Sequence, residues 1–230
     1  FAMLSIATYL VVSWMKTKRL RYLIYYPLVM AAWVNMHGGF VVGLALIFLL
    51  AAGHSTEAVI EKRLGDRECR RDLIVLWGSA LTSVAATLLN PYGYKALATV
   101  IMIGGLQSSS VTIEWQPVNL MTGLGWAYLS SLIPFVGIIA LSGVRPTISH
   151  SIIATFFLIF GVMANRQVAL CGAVMAPFIA AVLAETAQYK KMLPTFSNPC
   201  HPIAYGLIAL ALFGSYPTIA AVGDANIAKN

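Results

Sequence analysis

The stretch AAWVNMHGGFVVGL, from Ala31 to Leu44, decides how the N-terminal part of the chain folds. It places Asn35, His37 and a pair of glycines in the middle of a long apolar run. Asparagine can satisfy backbone groups at a helix end, and glycine tolerates a positive φ, so the letters NMHGG predict a turn. We therefore expect two short helices joined at this turn. Its polar residues have either a plain structural role or a place in a binding site.

The composition is that of a membrane protein. Hydrophobic residues make up 59% of the chain and charged residues 10%, whereas a soluble domain carries roughly 25% charged residues. The apolar residues form long blocks, not the short alternating segments of a β-barrel. The sequence therefore predicts an all-α fold, a polytopic transmembrane helical bundle that forms one domain over 1–230.

About eight membrane segments are expected, some shorter than the roughly 20 residues of a full span. Short or broken segments are tolerated where they pack inside protein or line a cavity. The expected segments are 1–15, 22–36, 39–53, 73–89, 121–143, 149–164, 168–186 and 202–221. The apolar stretch 95–105 is too short to cross, so we expect an interfacial or re-entrant helix within loop 90–120.

The basic residues lie in short loops on alternate sides of the predicted segments, which accounts for the net charge of +7 without nucleic acid as a partner. The positive-inside rule puts all but three of the 15 basic residues in the cytoplasm of a bacterial inner membrane. The cytoplasmic loops are then 16–21, 54–72, 144–148 and 187–201, and the extracytoplasmic loops are 36–39, 90–120 and 164–167. Mixed charges at helical spacing in loop 54–72 predict a solvated surface helix there.

Four outer loops carry the candidate functional residues, in the letters NMHGG, NPYGYK, SSSVTIEWQP and ANRQ. The candidate substrate-binding residues are Asn35, His37, Asn90, Tyr92, Trp115, Gln116 and Arg166, and the candidate catalytic residue is Glu114. Simpler roles are open for several of them, since NPYG is a ready turn and a tryptophan often anchors the membrane interface. The three cysteines lack CxxC or CxxH spacing, so the sequence predicts neither a cysteine metal site nor a disulfide framework.

Glu114 and Arg166 stand out because charges next to hydrocarbon are costly and usually have partners. Three roles are open: a structural Glu114–Arg166 ion pair, bidentate binding of a phosphate by Arg166, or action of Glu114 as a general base or as ligand of a divalent metal ion. The residues by themselves do not decide among these roles.

The segments WVNMHGGFVVG, LLNPYGY, IEWQP and ANRQVAL…APFIA, in this order and spacing, resemble a group of bacterial polytopic membrane proteins. That group is similar to the GT-C superfamily of integral membrane glycosyltransferases, which use polyprenyl-phosphate-linked sugars. The resemblance covers roughly 30–186 and implies an outward-facing site open to a lipid-linked donor. It also implies an acidic residue in a first outer loop and a C-terminal extracytoplasmic domain. Both would lie outside 1–230, so we expect this chain to be an internal or C-terminal membrane portion of a longer protein.

Three functions are compatible with these features. A GT-C-like glycosyltransferase would bind a lipid-phosphate-linked sugar at the extracytoplasmic face, among membrane lipids. An accessory subunit without catalytic activity would instead use the polar loops to dock other membrane subunits. A transporter is less favoured, because transporters place charges or broken helices at the midplane, often in repeated halves.

Overall fold

The computed structural model describes residues 1–105, 114, 116–142 and 146–185. Eight α-helices run through these residues: α1 Ala2–Thr17, α2 Arg21–Val34, α3 Phe40–Ile60, α4 Arg67–Ala86, α5 Tyr94–Gly105, α6 Gly123–Ser142, α7 Ile148–Met163 and α8 Val168–Glu185. No strand occurs within them, which confirms the all-α prediction. Each expected segment up to 168–186 has its helix, and 95–105 corresponds to α5. Segment 202–221 lies outside the described residues.

One of these helices, α3, is long and apolar enough to cross a membrane, and α7 is a shorter apolar helix. The expected number of membrane crossings therefore stays a prediction.

The chain divides into two compact units. Unit 1 comprises Phe1–Ser108 and Pro146–Phe156, and unit 2 comprises Ser109–Arg145 and Phe157–Asn230.

The separate surface helix expected over 54–72 is not formed. Instead, α3 continues to Ile60, because the hydroxyls of Ser55 and Thr56 donate back to the carbonyls of Ala51 and Ala52 at 2.8 and 2.9 Å. These polar side chains satisfy their own hydrogen bonds inside the helix, so they do not end it. The charged residues thus belong to the end of α3, a short turn, and the start of α4.

That turn has its own local signals. Lys62 adopts a left-handed φ of 56°, and the amide of Arg63 donates to the carbonyl of Ala58 at 2.8 Å. Together these features make a Schellman cap at the end of α3. The carboxylate of Asp66 then accepts from the amide of Glu68 at 3.0 Å and caps the start of α4.

The core of unit 1 is built around α2, which packs against α1 and α4. Tyr26 is fully buried, and its hydroxyl donates to the carbonyl of Gly43 on α3 at 2.7 Å. A Cβ on Gly43 would lie 2.7 Å from the ring of Trp33, so alanine at this position would force that buried ring to shift. A buried aromatic side chain with a satisfied hydroxyl therefore ties α2 to α3.

In unit 2, α6 packs against α8. The hydroxyl of Tyr128 on α6 donates to the carbonyl of Leu158 in the second half of α7 at 2.8 Å. A Cβ on Gly161 would lie 2.8 Å from the Cβ of Cys171 on α8, so this glycine allows close helix approach. A 3₁₀ turn, Asn165–Gln167, joins α7 to α8.

Candidate functional site

The NMHGG turn joins α2 to α3, as the sequence predicts. Asn35 caps α2, and its amide group donates to the carbonyls of Ala31 at 2.7 Å and Leu89 at 2.8 Å. The imidazole Nδ1 of His37 accepts from the amide of Gly39 at 2.8 Å, which makes His37 Nδ1 part of the turn. His37 itself is exposed.

The expected reason for the two glycines is wrong. Neither Gly38 nor Gly39 has a positive φ, and Gly39 has a φ of −65°. Both lie in tight contacts instead, since a Cβ on Gly38 would lie 3.2 Å from the Val100 side chain and one on Gly39 would lie 3.1 Å from His37 Nδ1. The turn therefore packs closely against α5.

The NPYG segment forms the turn expected from its residues. The side-chain carbonyl of Asn90 accepts from the amide of Tyr92 at 2.7 Å, while its NH₂ group donates to the carbonyls of Thr87 and Gly93 at 2.6 and 3.1 Å. Gly93 supplies the positive φ of 54°. Asn90 is thus used by the turn, whereas Tyr92 is 73% exposed.

These two turns lie side by side in unit 1. The bond from Asn35 to the Leu89 carbonyl joins them directly, across 54 positions of sequence. The exposed candidate residues here are Asn35, His37 and Tyr92, and the side-chain amide of Asn35 donates to backbone carbonyls. A ligand at this end of unit 1 would meet an imidazole and a phenol.

The EWQP and ANRQ segments meet in unit 2. The carbonyl of Gln116 accepts from the amide of Asn165 at 2.9 Å, and the amide of Val118 donates to the carbonyl of Val162 at 3.1 Å. Glu114, Gln116 and Arg166 are all exposed, whereas Trp115 lies outside the described residues. The two segments are held together by these backbone hydrogen bonds. Convergence of all four outer loops on one surface stays a prediction, as do the three roles considered for Glu114 and Arg166.

A polar cluster that sequence reasoning missed joins four elements of unit 1. The His54 imidazole lies 3.3 Å from the Glu57 carboxylate, which accepts from the amide of Ser149 at the start of α7 at 2.9 Å. Glu57 therefore caps the N-terminus of a helix 92 positions away in sequence. The i, i+3 spacing of His54 and Glu57 was a local signal for their contact, but nothing local pointed to Ser149.

The same cluster extends to α1 and α4. The ammonium of Lys18 lies 3.6 Å from the Asp72 carboxylate and 4.0 Å from the centre of the Trp14 ring. The Trp14 ring in turn meets His54 edge-on, with 5.6 Å between ring centres. Partial burial lowers the pKa of Lys18, and the attraction of Asp72 opposes that shift. The cluster joins the ends of four helices through an ion pair, a helix cap and an aromatic contact.

Within the described residues, no group of three or more His, Cys, Asp or Glu side chains is arranged to hold a metal ion. The divalent metal considered from the sequence therefore has no ready ligand set in this part of the chain.

In comparisons with known proteins, no family model, no curated protein and no solved structure matches this chain. Its functional assignment therefore rests on its own residues and geometry and on the resemblance of its motifs.

Proposed function

We propose that the chain belongs to a multi-pass protein of the bacterial inner membrane. The support comes from large apolar side chains on the outward faces of its helices. These exposed residues include Ile6, Tyr9, Ile24, Leu28, Ile74, Leu81 and Ile159. Exposure of such side chains to water is unfavourable, whereas lipid tails are as apolar as the side chains themselves.

Polar contacts in unit 1 form two groups at opposite ends of its helices, and this distribution supports the membrane orientation that we propose. The Lys18–Asp72 and Glu57–Ser149 contacts gather the basic turns and the start of α7 at one end of the helices. The Asn35–Leu89 contact gathers the NMHGG and NPYG turns at the other end. In the proposed orientation, the basic end faces the cytoplasm and the NMHGG end faces outward.

We further propose that the chain is a GT-C-like glycosyltransferase and that its outward end binds a lipid-phosphate-linked sugar. The observation that carries this proposal is the pairing of the NMHGG and NPYG turns, which presents His37 and Tyr92 on one exposed polar end. For unit 2, taken by itself, we propose that Arg166 binds a lipid phosphate in bidentate fashion and that Glu114 orients or deprotonates an acceptor hydroxyl. Gln116 and Trp115 contact the substrate from the same loop as Glu114. Asn35 and Asn90 act by holding the two turns in place.

The proposal is tested by Glu114→Gln and Arg166→Gln in the full-length protein, with transfer from a lipid-linked sugar as the readout. We expect each variant to lose activity by on the order of a hundredfold or more, since removal of a general base or of a charge-stabilising donor typically costs that much. The matched controls are Glu61→Gln and Arg63→Gln, an exposed pair in the turn between α3 and α4. Unchanged transfer in the Glu114 and Arg166 variants would remove both residues from the mechanism.

An accessory subunit is the second candidate, and one observation favours it. The amide groups of Asn35 and Asn90 are occupied by backbone carbonyls, so fewer polar groups are left to bind a substrate than the sequence alone indicates. The polar loops would then be docking surfaces for other membrane subunits. Co-purification with stoichiometric partners, together with no binding of a donor lipid, would support this function over sugar transfer.

A further inference from the structure

The turn between α1 and α2 concentrates positive charge. Lys16, Lys18, Arg19 and Arg21 fall within six positions, and all four are exposed; these residues are called the 16–21 basic turn below. The sequence contains no acidic residue before Glu57, so the segment has no local countercharge. Any neutralisation must come from elsewhere in the fold or from a partner.

The fold neutralises only part of this charge. Lys18 is held by Asp72 and by the ring of Trp14. Within the part of the chain that the structure describes, Lys16, Arg19 and Arg21 have no ion-pair partner; Arg21 instead donates to the Tyr22 hydroxyl at 3.1 Å. The 16–21 basic turn therefore carries an uncompensated positive field.

Two arginines at the other basic turn, between α3 and α4, are paired with acidic residues. Arg63 lies 3.1 Å from the Glu61 carboxylate and 3.8 Å from that of Asp66. Arg71, near the start of α4, lies 3.2 Å from Asp72. Both arginines already have acidic partners, so they provide an internal comparison for the 16–21 basic turn.

Apolar and aromatic side chains border the 16–21 basic turn. Tyr9 on α1 and Tyr22 on α2 meet edge-on, with 6.2 Å between ring centres. Leu20, Ile24 and Tyr25 are exposed beside them. A soluble anion needs only the charges, whereas a lipid also needs a hydrophobic surface next to the head-group site. Aromatic residues beside arginines and lysines are typical of the membrane interface.

We propose that the 16–21 basic turn binds the head groups of anionic phospholipids in the cytoplasmic leaflet. Arg19 and Lys16 supply the phosphate contacts, since guanidinium geometry suits a phosphate and the lysine adds a point charge. The acyl chains lie along the exposed apolar faces of α1 and α2. The proposal rests on the proposed membrane orientation but does not depend on sugar transfer.

The test uses the full-length protein in a neutral detergent. Binding of phosphatidylglycerol is measured by native mass spectrometry and by the shift in Tm, against phosphatidylcholine with the same acyl chains and against inorganic phosphate. The variant Lys16→Gln/Arg19→Gln is compared with Arg63→Gln/Arg71→Gln, which removes the same number of positive charges. We expect phosphatidylglycerol affinity to fall on the order of tenfold in the first variant and to change little in the second. Added salt should weaken wild-type binding.

Three outcomes would overturn the proposal. Equal binding of the two lipids would remove the preference for negative charge. Equal loss of phosphatidylglycerol affinity in both double variants would show that binding depends on net charge and not on the 16–21 basic turn. Protection by inorganic phosphate as strong as that by phosphatidylglycerol would assign the surface to a soluble anion. Sugar transfer measured on Lys16→Gln/Arg19→Gln distinguishes failure of this proposal from failure of the proposed enzyme, because neither Lys16 nor Arg19 is a proposed catalytic or substrate-binding residue.

Discussion

At the scale of single residues, a side chain of α4 compensates for the helical hydrogen bond that Pro27 removes from α2. A proline inside α2 has no amide hydrogen, so the carbonyl of Leu23, four positions earlier, loses its helical partner. The hydroxyl of Ser79 on α4 donates to that carbonyl at 2.8 Å. Leu23 and Ser79 are both buried, so this hydrogen bond satisfies a group that water cannot reach.

The substitution Ser79→Ala should therefore lower the unfolding free energy by about 0.5–2 kcal/mol, because it leaves a buried carbonyl without a donor. In a Pro27→Ala background the backbone amide returns, and Ser79→Ala should cost less. Ser130→Ala is the control, since Ser130 is exposed and bonds only within its own helix. Chemical unfolding in detergent micelles measures all four variants. If Ser79→Ala lowers the unfolding free energy equally in both backgrounds, Ser79 does not compensate for the amide that Pro27 lacks.

At the scale of elements, the contact between α3 and α7 depends on a glycine. A Cβ on Gly53 would lie 2.6 Å from the Cα of Ser149, so the start of α7 approaches the backbone of α3 directly. The same approach brings the amide of Ser149 within reach of Glu57. Close packing and helix capping therefore occur together at this crossing.

We expect Gly53→Ala to lower the unfolding free energy by about 1–3 kcal/mol, because the added methyl group meets backbone that cannot move aside locally. Gly78→Ala on α4 is the matched control, since nothing lies within 4 Å of a Cβ there. At that position alanine should be neutral or stabilise the helix by up to about 1 kcal/mol. Thermal unfolding of the two variants checks the difference. Similar Tm values for both would show that α7 does not approach α3 this closely.

At the scale of the whole molecule, the proposed orientation rests on which turns share an end of unit 1. Leu64, in the turn between α3 and α4, is 52% exposed, and Met36, in the NMHGG turn, is 67% exposed. Both positions tolerate a reporter side chain because neither contributes to the buried core.

Single cysteines at these positions, in a chain whose native cysteines are replaced by alanine, should report opposite sides. We expect Met36→Cys to react with a membrane-impermeant thiol reagent in intact cells, and Leu64→Cys to react only after permeabilisation. Labelling of Leu64→Cys alone in intact cells would show that the orientation is the reverse of the proposed one. Labelling of both variants in intact cells would show that α3 does not cross the membrane.

The helices of this protein follow from the sequence itself, and their partners do not. Apolar blocks, the Asp66 cap and the NPYG turn are local signals, so helix positions up to Glu185 could be predicted from neighbouring residues alone. The sequence predicts a role for Asn35 in its turn, but the bond of Asn35 to the carbonyl of Leu89 depends on how α2 and α4 pack. The cap that Glu57 provides to α7 likewise arises only when distant helices meet. Local patterns specify which groups need a partner, whereas the tertiary structure decides which partner comes within hydrogen-bonding distance.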